Sequence, residues 1–597
     1  MLASRIKIFG PPGCGKTTKL MDNKHGYQYL LSRGFQPEDI TLITYRKSAA
    51  HDLIEKVHEL TGFDEKEIKR HVGTIHSICL RLLLRTGIIG GRLGIIDDDD
   101  KYEFALKYDY LHCAKVKKLN IEKEEEDEDI VEELEEDEDI EAVDDEPECT
   151  GDMFELYNWC RSTCASIEDF DNFAGYGKIS LSTDEIVKFF EDWDSYKKGI
   201  GKVDFSDMLE LILKNNIQLD TPVLMVDEFQ DLTPQMNKIF WLWSLLCDYV
   251  IIAGDPNQSI YGYAGGSPDF FTNWEADRTI ILQETYRLPM QIKNICNEIL
   301  EAEEMEPTPV IYAKNGCGNV IKDIDYRDEY PVHNSAFYLV RCNFQIPGIA
   351  MHLAKEGKIF SVHSHIYRGL GWSAAEIDLA NAIIAVRTER SLRKDEIIAI
   401  IKRFPSTILE IDRYGKTEKD RKSGYIKEFL GKDVLYFPQI QDGTGILRPK
   451  VIEILTSSDP TQGMTQPGKN ALPGKQFLAK MQSLIDRKDF ISYDEAKQNR
   501  VMTIHSSKGL EADAIFLHTG MTPAIQRSMR GSLELAEAEA RVWNVGASRA
   551  REILYIVRDK GKNYALPGNV SYEDVCPEGI KVSERIIDRS AYEVADW

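Results

Sequence analysis

Residues 5–17 read Arg-Ile-Lys-Ile-Phe-Gly-Pro-Pro-Gly-Cys-Gly-Lys-Thr, and this stretch decides the fold. RIKIF (5–9) has the composition of a short buried strand, and the residues from Lys16 onward continue as a helix. Between them Gly10 to Thr17 fits G-x-x-x-x-G-K-[ST]. Strand, glycine-rich loop and helix in that order make a phosphate-binding loop: backbone N–H groups cradle phosphate and the lysine reaches its terminal oxygens. Gly10, Pro11, Pro12, Gly13, Cys14, Gly15, Lys16, Thr17 and Thr18 are therefore assigned to a nucleotide, with Thr17 as a Mg²⁺ ligand.

Working outward, ITLIT (40–44), VLMVD (223–227) and YVIIA (249–253) are apolar runs that end on a small or charged residue. Such runs, separated by helical stretches, predict a parallel sheet covered on both faces. In such sheets functional residues stand at the carboxyl ends of strands, where Gly10, Thr44, Asp227 and Gly254 fall. A second set of runs, TIIL (279–282), AFYLV (336–340), VMTI (501–504), AIFL (514–517) and ILYIV (553–557), predicts a second α/β unit. The fold class is thus α/β, with two parallel-sheet domains, each interrupted by an insertion. The first domain is expected over 1–85 and 201–278 with an insertion at 86–200, the second over 279–375 and 491–560 with an insertion at 376–490, and 561–597 as a tail.

The net charge of −26 argues against a nucleic-acid binder only at first sight. Residues 122–148 hold 19 acidic residues and one lysine, which leaves −8 on the other 570 residues, a balance compatible with a local basic groove. The acidic run reads first as a solvated segment; competition with phosphate for the groove and docking on a basic protein partner are its other readings. No apolar run reaches the length of a membrane span. The eleven cysteines form no CxxC pair, so reduced thiols in a cytoplasmic protein are expected.

Asp227-Glu228 follows the apolar VLMV run. In a phosphate-loop enzyme an acid there holds Mg²⁺ and a neighbouring carboxylate activates water, so Asp227 is assigned to the metal and Glu228 to the base. Phosphoryl transfer also needs cations on the γ-phosphate. Arg287 in LQETYR and Arg549 in NVGASRAR are the candidates, both expected in the second unit. ATP would then bind between the units, and its hydrolysis would release the closed cleft.

The ordered series of motifs resembles superfamily-1 helicases of the UvrD/Rep/PcrA branch. GPPGCGKT (10–17) resembles motif I, TYRKSAA (44–50) motif Ia, GTIHS (73–77) motif Ib, and VDEFQD (226–231) motif II. GDPNQSIYGYAG (254–265), LQETYR (282–287), FYLVRCN (337–343), TIHSSKGLEAD (503–513) and EARVWNVGASRAR (539–551) resemble motifs III, IV, IVa, V and VI. The resemblance implies two RecA-like motor domains, ATP and Mg²⁺ as cofactors, and 3′-to-5′ movement on single-stranded DNA and tailed duplex. It implies that Gln230 and Gln258 sense the γ-phosphate, that Tyr286 stacks on the base of ATP and that Glu511 contacts the ribose. It places Tyr45, Arg46, His76, Tyr261, Tyr263 and His505 along the strand. Stacking on tyrosine tolerates any base sequence, as a translocating motor requires.

The chain departs from the family pattern at Ala264, where an arginine is usual, and at Asn544, where a tyrosine is usual. The second insertion looks shorter than the family's. Ala264 and the shorter second insertion leave room for a translocase that strips proteins from single strands but barely unwinds duplex. A regulatory protein with a weakened motor is the third reading, opposed by the presence of Lys16, Thr17, Asp227, Glu228, Arg287 and Arg549. An RNA track also fits stacking and phosphate contacts.

Overall fold

The computed structural model describes residues 4–89, 94–111, 153–173, 179, 181–307, 309–310, 312–364, 366–409, 422, 434–435, 449–460, 464, 481–482, 484–485, 491–561, 563–564 and 592–594. The acidic run 122–148 lies outside them. The chain divides into two compact units: Met1–Gly318 with Arg527–Ser548 and Leu566–Trp597, and Asn319–Gln526 with Arg549–Ala565. No described helix is long and apolar enough to cross a membrane.

The first unit is built on β1 (Ser4–Phe9), β2 (Ile40–Thr44), β3 (Val72–Thr74), β4 (Val223–Val226), β5 (Tyr249–Gly254) and β6 (Arg278–Ile281). With the late strand Tyr592–Val594 they form a seven-stranded sheet in the order Tyr592–Val594, β6, β1, β5, β4, β2, β3, and every pair is parallel. β2 and β4 are buried at every position, as continuous apolar runs covered on both faces must be. Successive side chains enter opposite cores: Ile6, Ile8, Leu42, Met225 and Ile251 pack on one face, and Ile43, Leu224, Val226, Val250 and Ile252 on the other.

The run at 279–282, expected to open the second unit, belongs here. β6 pairs with β1 from Ile6–Arg278 to Phe9–Ile281. An apolar run announces a strand but not the sheet that takes it. The helix Leu533–Ala547, expected in the second unit, also groups with the first.

The insertion of the first unit contributes the helices Asp98–Lys107, Met153–Thr163 and Thr183–Ile200 around an aromatic core. Phe104 is fully buried there, with the rings of Trp193, Tyr108, Phe189 and Tyr196 at 4.8, 5.0, 5.3 and 5.4 Å. Replacing Phe104 by alanine opens a ring-sized cavity and is expected to cost about 3–5 kcal/mol in the transition that unfolds this insertion, read by tryptophan fluorescence in urea. Lys197, buried on the third helix, binds Asp204 at 2.5 Å, Asp207 at 2.7 Å and the Tyr157 hydroxyl at 2.9 Å. It fastens the insertion to the helix Phe205–Lys214 that returns the chain to the sheet.

The second unit carries β7 (Asn319–Asp325), β8 (Ala336–Val340), β9 (Ser361–His363), β10 (Asn499–Thr503), β11 (Ala512–His518) and β12 (Ala550–Arg558). They form an all-parallel sheet in the order β7, β12, β11, β8, β10, β9. Two helices of the second insertion, Ala374–Arg387 and Lys394–Arg403, share one hydrophobic core with this sheet through Ile383, Ile400 and Val501. Much of the polar stretch 456–474 lies outside the described residues.

Candidate functional site

The phosphate loop follows β1 directly and has two glycines in left-handed backbone, Gly13 at φ 71° and Gly15 at φ 75°. Side chains rarely adopt this conformation, so these two positions shape the loop. Gly13 also admits a close neighbour, because a Cβ there would lie 2.3 Å from Cβ of Arg287. At Gly10 a Cβ would lie 2.6 Å from Cγ of Lys16, so the missing side chain lets the lysine lie back over the loop. Thr17 Oγ1 donates to Asp227 Oδ2 at 2.8 Å, joining the loop to the end of β4. Cys14 is buried, which pushes its thiol up to about 12 and leaves it protonated.

At the end of β4, Asp227 is 3% exposed. Burial, with Glu228 beside it, pushes its carboxyl up to about 6, against the opposing pull of Thr17 and Lys16. Glu228 takes left-handed backbone at φ 53°, an uncommon geometry for a non-glycine residue. From Glu228 a hydrogen-bonded path runs across the sheet. Gln230 Nε2 donates to Glu228 Oε2 at 2.5 Å, the Asp255 N–H donates to Gln230 Oε1 at 2.9 Å, and Gln258 Nε2 donates to Asp255 Oδ2 at 2.6 Å. Gly254 makes the crossing possible, since a Cβ there would sit 2.6 Å from Gln230 Oε1. The path therefore links the carboxylate beside the phosphate loop to the loop after β5. Asp255, its buried midpoint, was not singled out from the sequence; its place between a strand-ending glycine and the glutamine at 258 was the available signal.

Arg287, expected in the second unit, lies in the first, because the chain after β6 is stitched to the phosphate loop. Thr285 Oγ1 donates to the Pro12 carbonyl at 3.0 Å and accepts from the Leu288 N–H at 3.1 Å, while the Tyr286 N–H donates to the Gly13 carbonyl at 2.9 Å. These bonds set Tyr286 and Arg287 beside the loop. Tyr286 is 47% exposed and its hydroxyl donates to Glu284 Oε2 at 3.1 Å. Thr285 is a second residue the sequence reading passed over, hidden inside the motif it serves.

Two loops of the same sheet edge carry the aromatic candidates. Tyr45 stacks on Tyr261 with centroids 5.1 Å apart, and Tyr261 meets Tyr263 edge-on at 6.2 Å. Tyr261 is buried, so its ring backs the other two, and Tyr45 and Tyr263 are the partly exposed members. Arg46 precedes the helix Lys47–Thr61. His76 packs edge-on against Phe205 at 5.4 Å, and burial holds its ring below the ordinary histidine range, hence neutral.

The remaining candidates belong to the second unit. His505 is buried in the turn after β10, where the Ser506 N–H donates to Thr503 Oγ1 at 3.2 Å. Glu511 and Arg549 stand together at the amino ends of the paired strands β11 and β12. Glu511 lies 3.5 Å from Arg551, and buried Arg549 donates to the Leu510 carbonyl at 3.4 Å.

Comparison with known proteins agrees with both sheets. The UvrD/REP helicase N-terminal domain matches residues 1–279 and the UvrD-like helicase C-terminal domain matches residues 370–561. The chain is 21% identical to a probable DNA helicase II homolog of Mycoplasma capricolum, over 98% of this chain and 86% of that protein. It is 24% identical to the ATP-dependent DNA helicase PcrA of Staphylococcus aureus, over 92% of this chain and 80% of the relative. With a putative ATP-dependent DNA helicase, YjcD of Bacillus subtilis, it shares 23% identity over 47% of this chain and 34% of the relative. Two parallel-sheet units, a phosphate loop wired to a tyrosine-bearing loop, and these matches together place the chain in the UvrD/Rep/PcrA branch of the superfamily-1 helicases.

Proposed function

We propose that this chain is an ATP-dependent motor that moves 3′ to 5′ along single-stranded DNA and opens tailed duplex. The observation that carries the reading is the hydrogen-bonded path from Glu228 through Gln230 and Asp255 to Gln258, three residues before Tyr261. A change of charge beside Glu228 when the γ-phosphate leaves would have a direct route to the rings that grip the strand. Glu228 accepts the proton of the attacking water, the new P–O bond forms at the γ-phosphorus, and the bond to the bridging oxygen breaks to release ADP. Lys16 and Arg287 balance the charge on the transferred group. Tyr286 offers its ring to the nucleotide base. Glu511 as a ribose contact and Arg549 as a second γ-phosphate cation belong to the same proposal.

Mg²⁺ suits the donor set: a buried carboxylate whose proton affinity is raised, with a threonine hydroxyl 2.8 Å away, gains from a hard cation. Thr17 and Asp227 would hold the ion, which draws charge from the phosphate oxygens when bound.

Tyr45 and Tyr263 are the base-facing rings, with buried Tyr261 as the wedge behind them. Arg46, His76 and His505 complete the proposed contacts with the strand. Loss of one stacked ring costs about 1–3 kcal/mol, so Tyr263→Ala is expected to raise the oligonucleotide concentration for half-maximal ATPase stimulation about 5- to 150-fold. The direction of travel is tested by strand displacement on duplexes with a single 3′ or 5′ tail. Displacement from the 3′-tailed duplex alone supports the proposal. Displacement from the 5′-tailed duplex alone reverses the polarity, and stripping of bound protein without displacement from either replaces the helicase with a translocase.

A further inference from the structure

The turn that carries Tyr263 is held from outside its own sheet. Gly262–Ala264 forms a single helical turn closed by the Ala264 N–H donating to the Tyr261 carbonyl at 3.0 Å and by the Gly265 N–H donating to the Gly262 carbonyl at 2.9 Å. The carbonyl of Ala264 accepts from Ser162 Oγ at 3.0 Å, 102 residues away in sequence, and the same hydroxyl proton is shared with the Trp159 carbonyl of its own helix at 3.1 Å. Gly265 follows in left-handed backbone at φ 92°, and a Cβ there would lie 2.6 Å from Cγ2 of Thr163. Ser162 and Thr163 end the insertion helix Met153–Thr163. That helix end is itself fixed: Arg161 pairs with Asp207 at 3.0 Å and with Glu210, both on the helix Phe205–Lys214. Tyr157, one turn earlier, donates to Asp194 at 2.5 Å and accepts from Lys197 at 2.9 Å.

We infer that Ser162 and Thr163 are positioning residues for the nucleic-acid track: the insertion is a buttress that fixes the pose of the Tyr263 turn. This role for the insertion rests on the proposed role of Tyr263 as a stacking ring. Stacking gives its full worth only to a ring already held where the base arrives, because each loose rotor must be ordered on binding. The Ser162 hydroxyl is a rigid hook on a helix anchored at Arg161, Tyr157 and Lys197, and Thr163 packs where Gly265 leaves room. Among the described residues the side-chain hydrogen bonds of Ser162 and Thr163 run to the carbonyls of Trp159 and Ala264, away from the phosphate loop and from the path between Glu228 and Gln258, so the two should act on strand affinity and leave the chemistry alone.

The test compares Ser162→Ala, Ser162→Thr and Tyr263→Ala in the full chain. ATP hydrolysis is followed against an oligothymidine probe, alongside the DNA-free rate and thermal unfolding. Loss of one hydrogen bond predicts that Ser162→Ala raises the probe concentration for half-maximal stimulation about fivefold, with the DNA-free rate and Tm near wild type. Ser162→Thr, which keeps the hydroxyl, should return it toward wild type. A merely structural serine would instead lower Tm and the DNA-free rate while sparing the half-maximal probe concentration, and that result overturns the inference. If Tyr263→Ala weakens the probe and Ser162→Ala does not, the inference fails and the stacking role stands. If Tyr263→Ala also leaves the probe concentration unchanged, the stacking role falls and the inference with it.

Discussion

Lys16→Ala is expected to lower kcat for ATP hydrolysis by about 10²–10³-fold or more, the usual loss when a preorganised charge at a transition state is removed. The structure gives the reason. Lys16 is 9% exposed, lies back over Gly10, and is a counter-charge to two buried carboxylates, Asp227 and Asp255. Truncation therefore removes the proposed phosphate cation and, at the same time, leaves both buried acids without its pull, so that they hold a proton more readily. The variant should fold, since the sheet cores on either side of β1 do not include Lys16. Steady-state hydrolysis reads the loss, and near-UV circular dichroism checks the fold.

Glu228→Gln is expected to separate binding from turnover. Glutamine keeps the shape of the side chain and can still accept from Gln230 Nε2, now 2.5 Å from Glu228 Oε2, so the path to Gln258 should survive. What is lost is the proposed proton acceptor. A positioned general base contributes about 10²–10⁴-fold, so kcat should fall by that factor while affinity for a non-hydrolysable nucleotide stays close to wild type. Single-turnover hydrolysis and nucleotide titration measure the two quantities. Wild-type turnover in this variant would place the base elsewhere. Loss of nucleotide affinity would instead show Glu228 acting through the geometry around Asp227.

Much of this site was legible from residues alone because its parts are short-range. The phosphate loop announces itself by glycine spacing after an apolar strand, and VLMVDE states a buried strand and its functional end within six residues. Strand partners were less legible. Thr279–Ile281 looked like any apolar run and was expected in the second unit, yet it flanks β1, which is what carries Arg287 to Gly13. β7 went unseen because NVIKDID, an edge strand, mixes polar with apolar residues and lacks the all-buried signature. Asp255 and Thr285 were overlooked because their roles depend on atoms 25 and 273 positions away, Gln230 Oε1 and the Pro12 carbonyl. The hydroxyl of Ser162 has no sequence signature at all; only the folded insertion brings it to Ala264. Tyr261 was expected on the strand path, but no sequence pattern announces that its ring is buried against Tyr45.

The central claim is that hydrolysis at the phosphate loop answers to a nucleic-acid strand through the path from Glu228 to Gln258. It is tested most directly by steady-state ATP hydrolysis with and without single-stranded DNA, in the wild-type chain and in Gln258→Ala. Strong stimulation by the strand is expected in the wild type, and in the variant the ratio of the strand-stimulated rate to the DNA-free rate should fall most of the way to one. A wild-type rate that ignores the strand, or a variant stimulated as fully as the wild type, would contradict it.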